Sequence, residues 1–219
     1  MRPQVTLGKI CSLITDGKHG DCRDQDDSGF FFISAKDIRD GRVNYLGARE
    51  ITQSDFEETH RRTDLCEGDV LVTNSGTIGR IAIAEADDRT ACTTFQKSVA
   101  VLKPIRELVD PRFLYYALVD SRERLVNASA GAAQKNLLLG ELRRFSITLP
   151  SVDEQMSIAE KLRVYDALVT NNERRMALLE RATRLLFDEW FVRFASQARP
   201  GRAPQNASDA SERLCRHRP

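Results

Sequence analysis

The chain has 219 residues, a length that suits one globular domain with an additional element or two small domains. Hydrophobic residues make up 41% and charged residues 30%, enough for a packed core under a highly charged surface. Lys plus Arg number 33 against 32 Asp plus Glu, and the formal charge of +1 counts against a simple electrostatic nucleic-acid clamp, which usually carries a strong basic excess. Any site for a polyanion must be a local basic patch, or must be completed by a partner.

Residues 1 to about 150 read as mixed α and β. Short β-prone runs are Phe30–Ile33, Asp69–Thr73, Ile81–Ala84, Ser98–Leu102 and Phe145–Leu149, several of them separated by Gly, Asp and Asn. One helix interrupts them. Asp110 is a good N-cap and Pro111 suits the first helical position; Phe113, Leu114, Ala117, Leu118 and Leu125 follow at helical spacing.

A long helix follows. Ser151-Val152-Asp153-Glu154, directly after Pro150, has the pattern of a capping box, and neither Gly nor Pro recurs before Pro200. Ile158, Leu162, Tyr165, Val169, Asn172, Met176, Leu179, Thr183, Leu186 and Trp190 step by four and three in alternation, the seam of a coiled coil. From Val152 to Trp190 the helix spans about 58 Å. Its seam needs a second long helix, from a copy of the same chain or from a partner, or it must fold back on its own domain. Asn172 and Thr183 soften the seam, and a polar seam residue fixes register at a cost in stability. Arg174 and Arg175 are expected on a solvated face or against the partner. From Ala195 to Pro219 the chain is rich in Ala, Ser, Arg and Pro and reads as a disordered tail.

Catalytic and metal chemistry find little support. Cys11, Cys22, Cys66, Cys92 and Cys215 form no C-x-x-C pair, so reduced thiols of a cytosolic protein are expected. The N-terminus shows no signal-peptide core, and no run approaches the ~20 apolar residues of a membrane span. His19, His60 and His217 are not at ligand spacing. Ser75-Gly76-Thr77-Ile78-Gly79-Arg80 is like a phosphate loop only on the surface, since it lacks the lysine and hydroxyl that such a loop places on phosphate and magnesium. Asp110-Pro111-Arg112-Phe113 approaches the Asp/Asn-Pro-Pro-aromatic signature of amino-methyltransferases, but Arg112 replaces the second proline and no Gly-rich cofactor loop precedes it. Asp16, Asp21, Asp24, Asp26 and Asp27 suggest a solvated loop, with a paired-carboxylate site as the alternative.

Several segments together resemble the specificity subunits of Type I restriction-modification systems. Thr15-Asp16-Gly17-Lys18-His19-Gly20 is similar to the family's "DG-x-H" loop, and Phe32-Ile33-Ser34-Ala35-Lys36-Asp37-Ile38 to the strand after it. The segment from Gly68-Asp69 through Ser75-Gly76 to Gly79-Arg80 resembles its "GD-strand-SG-x-x-G" stretch, and Gln134-Lys135-Asn136 its "Q-x-N" loop. Ile147-Thr148-Leu149-Pro150, followed by Glu154-Gln155 and Ile158-Ala159, is close to the family's "I-x-L-P-x-x-x-E-Q-x-x-I-A" approach to a spacer helix. The likeness covers roughly residues 5 to 194.

The resemblance implies an α+β fold: a mixed, mainly β target-recognition domain over residues 1–150, then one long coiled-coil spacer helix over 151–194, with the tail at 195–219. It implies double-stranded DNA as ligand. Its partners would be methyltransferase subunits that bind S-adenosylmethionine and methylate adenine, and often an ATP-driven restriction subunit. This chain itself would carry no cofactor and no catalytic residue. The usual member has two recognition domains and two helices, whereas this sequence has one of each, as a half-subunit pairing with itself or a truncated gene would.

A recognition domain must set polar loop residues at base edges while cations and main-chain N–H groups hold phosphates. Candidates are Lys18, His19, Asn74, Ser75, Thr77, Arg80, Lys97, Gln134, Lys135 and Asn136. Gln and Asn can pair bidentately with adenine, and Arg or Lys with guanine. Ile158, Leu162, Tyr165, Val169, Met176, Leu179, Leu186 and Trp190 are the candidates for helix pairing. Two other readings remain: a coiled-coil adaptor that binds protein, and an enzyme whose site lies near Asp16–Asp27 or the cysteines.

Overall fold

The computed structural model describes residues 3–128 and 136–193, with side chains as far as Phe191. The chain divides into two compact units, residues 1–163 and 164–219. The first opens with β1 (Gln4–Thr6), α1 (Leu7–Ile10), β2 (Cys11–Asp16), β3 (Phe31–Ile33), β4 (Ile38–Arg39), β5 (Arg42–Val43) and β6 (Arg49–Glu50). Then come α2 (Gln53–Thr63), β7 (Val70–Thr73), β8 (Ile81–Ile83), β9 (Thr93–Phe95) and β10 (Val99–Pro104). The series ends with α3 (Pro111–Asp120), α4 (Arg122–Ala128), α5 (Leu139–Arg144), β11 (Ser146–Thr148) and α6 (Val152–Phe187).

The centre is an antiparallel four-stranded sheet in the order β2-β10-β7-β8. Both of its faces are covered, so its strands read as unbroken apolar runs rather than alternating ones. Ile14, Val70, Val72, Ala100 and Leu102 point into a core completed by Phe113, Leu114, Leu118, Leu125 and Leu142 from the helices. Leu71, Ala82, Val99 and Val101 face the other way, into a second core with Ile33, Ile38, Leu65 and Phe95. A three-stranded sheet, β6-β3-β9, lies on that second side, with β3 and β9 parallel. The β4–β5 hairpin turns through Asp40 and Gly41, both at positive φ, as the tight turn of a right-twisted hairpin demands.

The helix starts follow local chemistry. Asp110 accepts from the N–H of Phe113 at 2.8 Å and Pro111 opens α3, as its sequence requires. Ser121 ends α3, and α4 restarts to carry Leu125 into the core, so the single helix expected there is two. Ser151 and Glu154 form the capping box of α6, each bonding the other's main-chain N–H. Within α6 only Gln155 and Ala159 are buried.

In the second unit α6 continues to Phe187 and passes into a π-helical segment, Asp188–Arg193, that carries Trp190. A π turn takes more residues than an α turn, so Trp190 leaves the heptad register that Leu186 keeps. Tyr165, Val169, Met176, Leu179 and Leu186 are exposed, and so is Leu162 on the first unit's last helical turn. Ile158 is half-buried against the first core. Asn172 and Thr183 are exposed, and the Thr183 hydroxyl donates back to the carbonyl of Leu179 at 2.9 Å. Among the described residues no helix is long and apolar enough to cross a membrane. The expected tail at 195–219 lies outside the described residues.

Candidate nucleic-acid interface

The antiparallel register of the central sheet collects the candidate loops. β2 ends at Asp16 opposite Ala100, and β10 begins at Val99 opposite Thr73, where β7 ends. β8 begins at Ile81 opposite Val72. Residues 17–19, 74–80 and 96–98 therefore leave the same end of one sheet.

Main-chain bonds tie these loops together. The N–H of Lys18 donates to the carbonyl of Phe95 at 2.7 Å, and the N–H of Lys97 donates to the carbonyl of Lys18 at 3.0 Å. Asn74 donates its N–H to the carbonyl of Ser98 at 3.0 Å and accepts from the N–H of Leu137 at 2.8 Å, which brings Asn136 to the same end. The Ser98 hydroxyl accepts from the N–H of Ala35 at 3.1 Å, adding the turn Ala35–Asp37. Gly17 has to be glycine: a Cβ there would lie 1.9 Å from the carbonyl oxygen of Phe95.

The 74–80 turn is built around Thr73. Its hydroxyl bonds the carbonyl of Thr77 and accepts from the N–H of Arg80 at 2.9 Å. Gly76 and Gly79 take positive φ to close the loop. At its tip Ser75 is half-buried and Thr77 exposed, and neither side chain has a partner among the described residues. Asn74 is 7% exposed, and its Oδ1 has no hydrogen-bond partner among the described residues.

The candidate cations differ in their commitments. Lys97 is exposed, without a partner among the described residues. Lys18 is engaged: its ammonium sits 3.0 Å from Glu58 and 3.8 Å from Asp55 on α2, and the hydrogen bond to Glu58 raises its pKa. His19 is exposed and bonds Asp16 at 3.2 Å, while Asp16 also accepts from Arg62 at 2.7 Å. Arg80 is half-buried, donating to the carbonyls of Ala35 and Ile38, both at 3.3 Å. Its remaining N–H groups stay available for an acceptor. Gln134 and Lys135 lie outside the described residues.

Two further cations belong to this end. Lys36 is exposed on the turn that Ser98 and Arg80 hold in place. Arg122, the first residue of α4, is exposed beside Gly79: a Cβ on that glycine would come within 3.5 Å of the Arg122 Cγ. Lys36 sits inside a segment already singled out for its strand, and Arg122 follows a helix whose apolar spacing drew attention elsewhere.

The acidic loop is a structural knot. Arg49 donates to Asp21 at 2.6 Å, to Asp24 at 2.5 Å and to the carbonyl of Cys22 at 2.6 Å. The Arg49 hydrogen bond holds the Asp21 carboxyl below its usual range. Cys11, Cys22, Cys66 and Cys92 are free thiols. Burial pushes Cys11 up to about 12 and raises Cys22, so neither is an activated nucleophile. Among the described residues no group of three or more His, Cys, Asp or Glu could hold a metal ion.

The sheet end thus carries polar turns and exposed cations, and the long helix α6 carries a largely exposed apolar seam. The chain belongs to the Type I restriction modification DNA specificity domain family, whose model matches residues 20–181. It is 29% identical over 150 residues to the Type I restriction enzyme EcoBI specificity subunit of Escherichia coli, covering 68% of this chain and 31% of that protein. It is also 29% identical over 167 residues to the MjaIX specificity subunit of Methanocaldococcus jannaschii, covering 74% and 37%.

Solved structures share the fold. The S subunit from M. genitalium superposes with a TM-score of 0.59 at 19% identity, over 87% of this chain and 44% of that one. The HsdS subunit from Thermoanaerobacter tengcongensis superposes with a TM-score of 0.52 at 19% identity, over 86% and 44%. The chain spans about a third of the curated relatives' length and under half of each of these structures.

Proposed function

We propose that this chain reads a short DNA half-site for a Type I restriction-modification complex and catalyses nothing itself. The convergence of residues 17–19, 35–37, 74–80, 96–98 and 136 at one end of the central sheet supports this reading. Lys36, Lys97 and Arg122 would hold phosphates, while Asn74, Ser75, Thr77, Arg80 and Asn136 would meet base edges. Gln134 and Lys135 join the second group on sequence alone. Lys18 and His19 would contribute chiefly through the loop they shape.

The partners follow from the helix and the charge. The seam of Leu162, Tyr165, Val169, Met176, Leu179 and Leu186 would pair antiparallel with that of a second copy, giving two half-sites in inverted orientation. One residue ahead of the seam, Val164, Leu168, Leu178 and Leu185 are 52–61% exposed. They widen the apolar face beyond what one neighbouring helix covers, and methyltransferase subunits would dock there. Those subunits would supply S-adenosylmethionine and the methylation of adenine, and a restriction subunit would join them in the cytoplasm. The adaptor reading is not favoured, because the family is a DNA specificity domain.

With a net charge of +1, the chain alone should bind DNA weakly. Filter binding of the full chain, with and without its methyltransferase subunit, tests the reading. Sequence-selective retention only in the presence of the subunit is expected. Equal binding of all sequences by the complex would overturn it.

A further inference from the structure

The turn from Asn74 to Arg80 contains two pairs in which a glycine at positive φ follows a residue at negative φ. They are Ser75-Gly76, with Gly76 at 72°, and Ile78-Gly79, with Gly79 at 80°. A reversal of this kind turns successive main-chain N–H groups toward one point and makes a small concave site for oxygen, anionic oxygen above all. The second pair encloses oxygens of its own chain. The N–H of Gly79 donates to the carbonyl of Thr73 at 3.0 Å, and the N–H of Arg80 to the Thr73 hydroxyl at 2.9 Å.

The first pair has the same signs of φ and no acceptor of its own. The main-chain N–H groups of Ser75, Gly76 and Thr77 have no hydrogen-bond partner among the described residues. Neighbouring bonds hold the turn in this state. The Asn74 carbonyl accepts from the N–H of Leu137 at 2.8 Å, so the Ser75 N–H, on the opposite side of the same trans peptide, points away from Leu137. The Thr77 carbonyl is bound by the Thr73 hydroxyl, which fixes the other end. Gly76 and Thr77 are exposed, so a ligand as large as a polymer can reach their donors.

Charge selects an anion. Residues 74–80 include Arg80 and neither Asp nor Glu. Arg122, exposed and without a partner among the described residues, lies beside Gly79. The geometry points to a main-chain phosphate site: the N–H groups of Ser75, Gly76 and Thr77 hold a non-bridging oxygen of one DNA phosphodiester, with Arg122 as the countercharge. The inference rests on the DNA-reading proposal above and deepens it. A main-chain contact is blind to base sequence, so it fixes the register in which side chains of the same sheet end meet the bases.

The test uses the full chain with its methyltransferase subunit, and duplexes of the sequence it methylates with one phosphodiester at a time replaced by a neutral methylphosphonate. With wild type, replacement at the phosphate held by this turn should weaken binding about tenfold or more, as loss of a hydrogen-bonded charge does. Gly76→Asn and Gly76→Val place similar bulk where nothing lies within 4 Å, but only asparagine tolerates positive φ. The asparagine variant should keep the sensitivity at that phosphate. The valine variant should bind the natural duplex about tenfold less tightly and lose the sensitivity there alone, with its base preference and the other sensitive phosphates unchanged. If the valine variant does not accumulate, Thr77→Pro, which deletes one of the three donors, is read in the same way. A wild type with no such phosphate, or a folded valine or proline variant that keeps every sensitivity, overturns the inference alone. So does inorganic phosphate that displaces the duplex where chloride at equal ionic strength does not, because the turn then takes a free anion. A complex with no base preference overturns the DNA-reading proposal and this inference with it.

Discussion

The main-chain N–H of Lys97 donates to the carbonyl of Lys18 at 3.0 Å, so two lysines from distant parts of the chain leave the same end of one sheet. Their side chains have different fates. The Lys18 ammonium is held by Glu58 and Asp55, whereas that of Lys97 is exposed and has no partner among the described residues. Lys97→Ala should therefore weaken binding of the complex to all DNA sequences alike and lower the salt dependence by about one phosphate contact. Lys18→Ala should leave the salt slope nearly unchanged. Affinity measured across a salt series separates the two; equal slopes for both variants would contradict the assignment.

Gly17 and Gly76 should respond differently to alanine. At Gly17 the new methyl would sit 1.9 Å from the Phe95 carbonyl oxygen, and the loop could not close over β9. Gly17→Ala should cost about 3 kcal/mol or more, as overpacking against backbone does. At Gly76 nothing lies within 4 Å, and only the positive φ of 72° penalises a side chain. That cost is about 1–2 kcal/mol. Urea unfolding of the two variants checks the order.

Asp55 links stability to acid. Hydrogen bonds from the Arg23 side chain, and then from its main-chain N–H, lower the Asp55 carboxyl from 3.8 to about 2. A carboxylate lowered by folding stabilises the native state above its unfolded pKa and loses that contribution as pH falls through the folded value. The wild type should thus lose this contribution between about pH 4 and about pH 2. Asp55→Asn should be less stable at neutral pH and should lack that part of the acid dependence. Urea midpoints across the range would show the two curves converging toward the acid end.

What the sequence made legible was the apolar part of the fold. β7, β8 and β10 stand out because both faces of their sheet are buried, and α3 because Asp110 and Pro111 mark its start. By contrast α2 gave no apolar period: besides Phe56, its buried residues are Asp55, Thr59 and Thr63. Missing α2 also hid Glu58, the residue that engages Lys18. The site was legible as a set of polar turns, but their convergence depends on strand register. Lys36 and Arg122 join it only through the packing of the 35–37 turn and of α4 against the 74–80 loop.

The seam of α6 makes its own prediction. Leu179 is 67% exposed in the C-terminal third of the helix, a large apolar residue that pairing would cover. Leu179→Asp should give monomers in sedimentation at roughly tens of micromolar, where the unsubstituted chain should be dimeric. A wild-type chain that sediments only as a monomer there would remove the symmetric pairing from the account.

The central claim is that the sheet-end loops choose the half-site while the helix sets the gap. Methylome sequencing of cells carrying the chain and its methyltransferase subunit tests it most directly. Arg80→Ala should relax or abolish one base preference, at about 1–3 kcal/mol for a lost bidentate contact, without altering the gap. One heptad inserted before Asn172 should keep the half-sites and change only the gap. A loop variant that leaves the motif untouched, or a wild type that methylates an uninterrupted asymmetric sequence, would contradict the account.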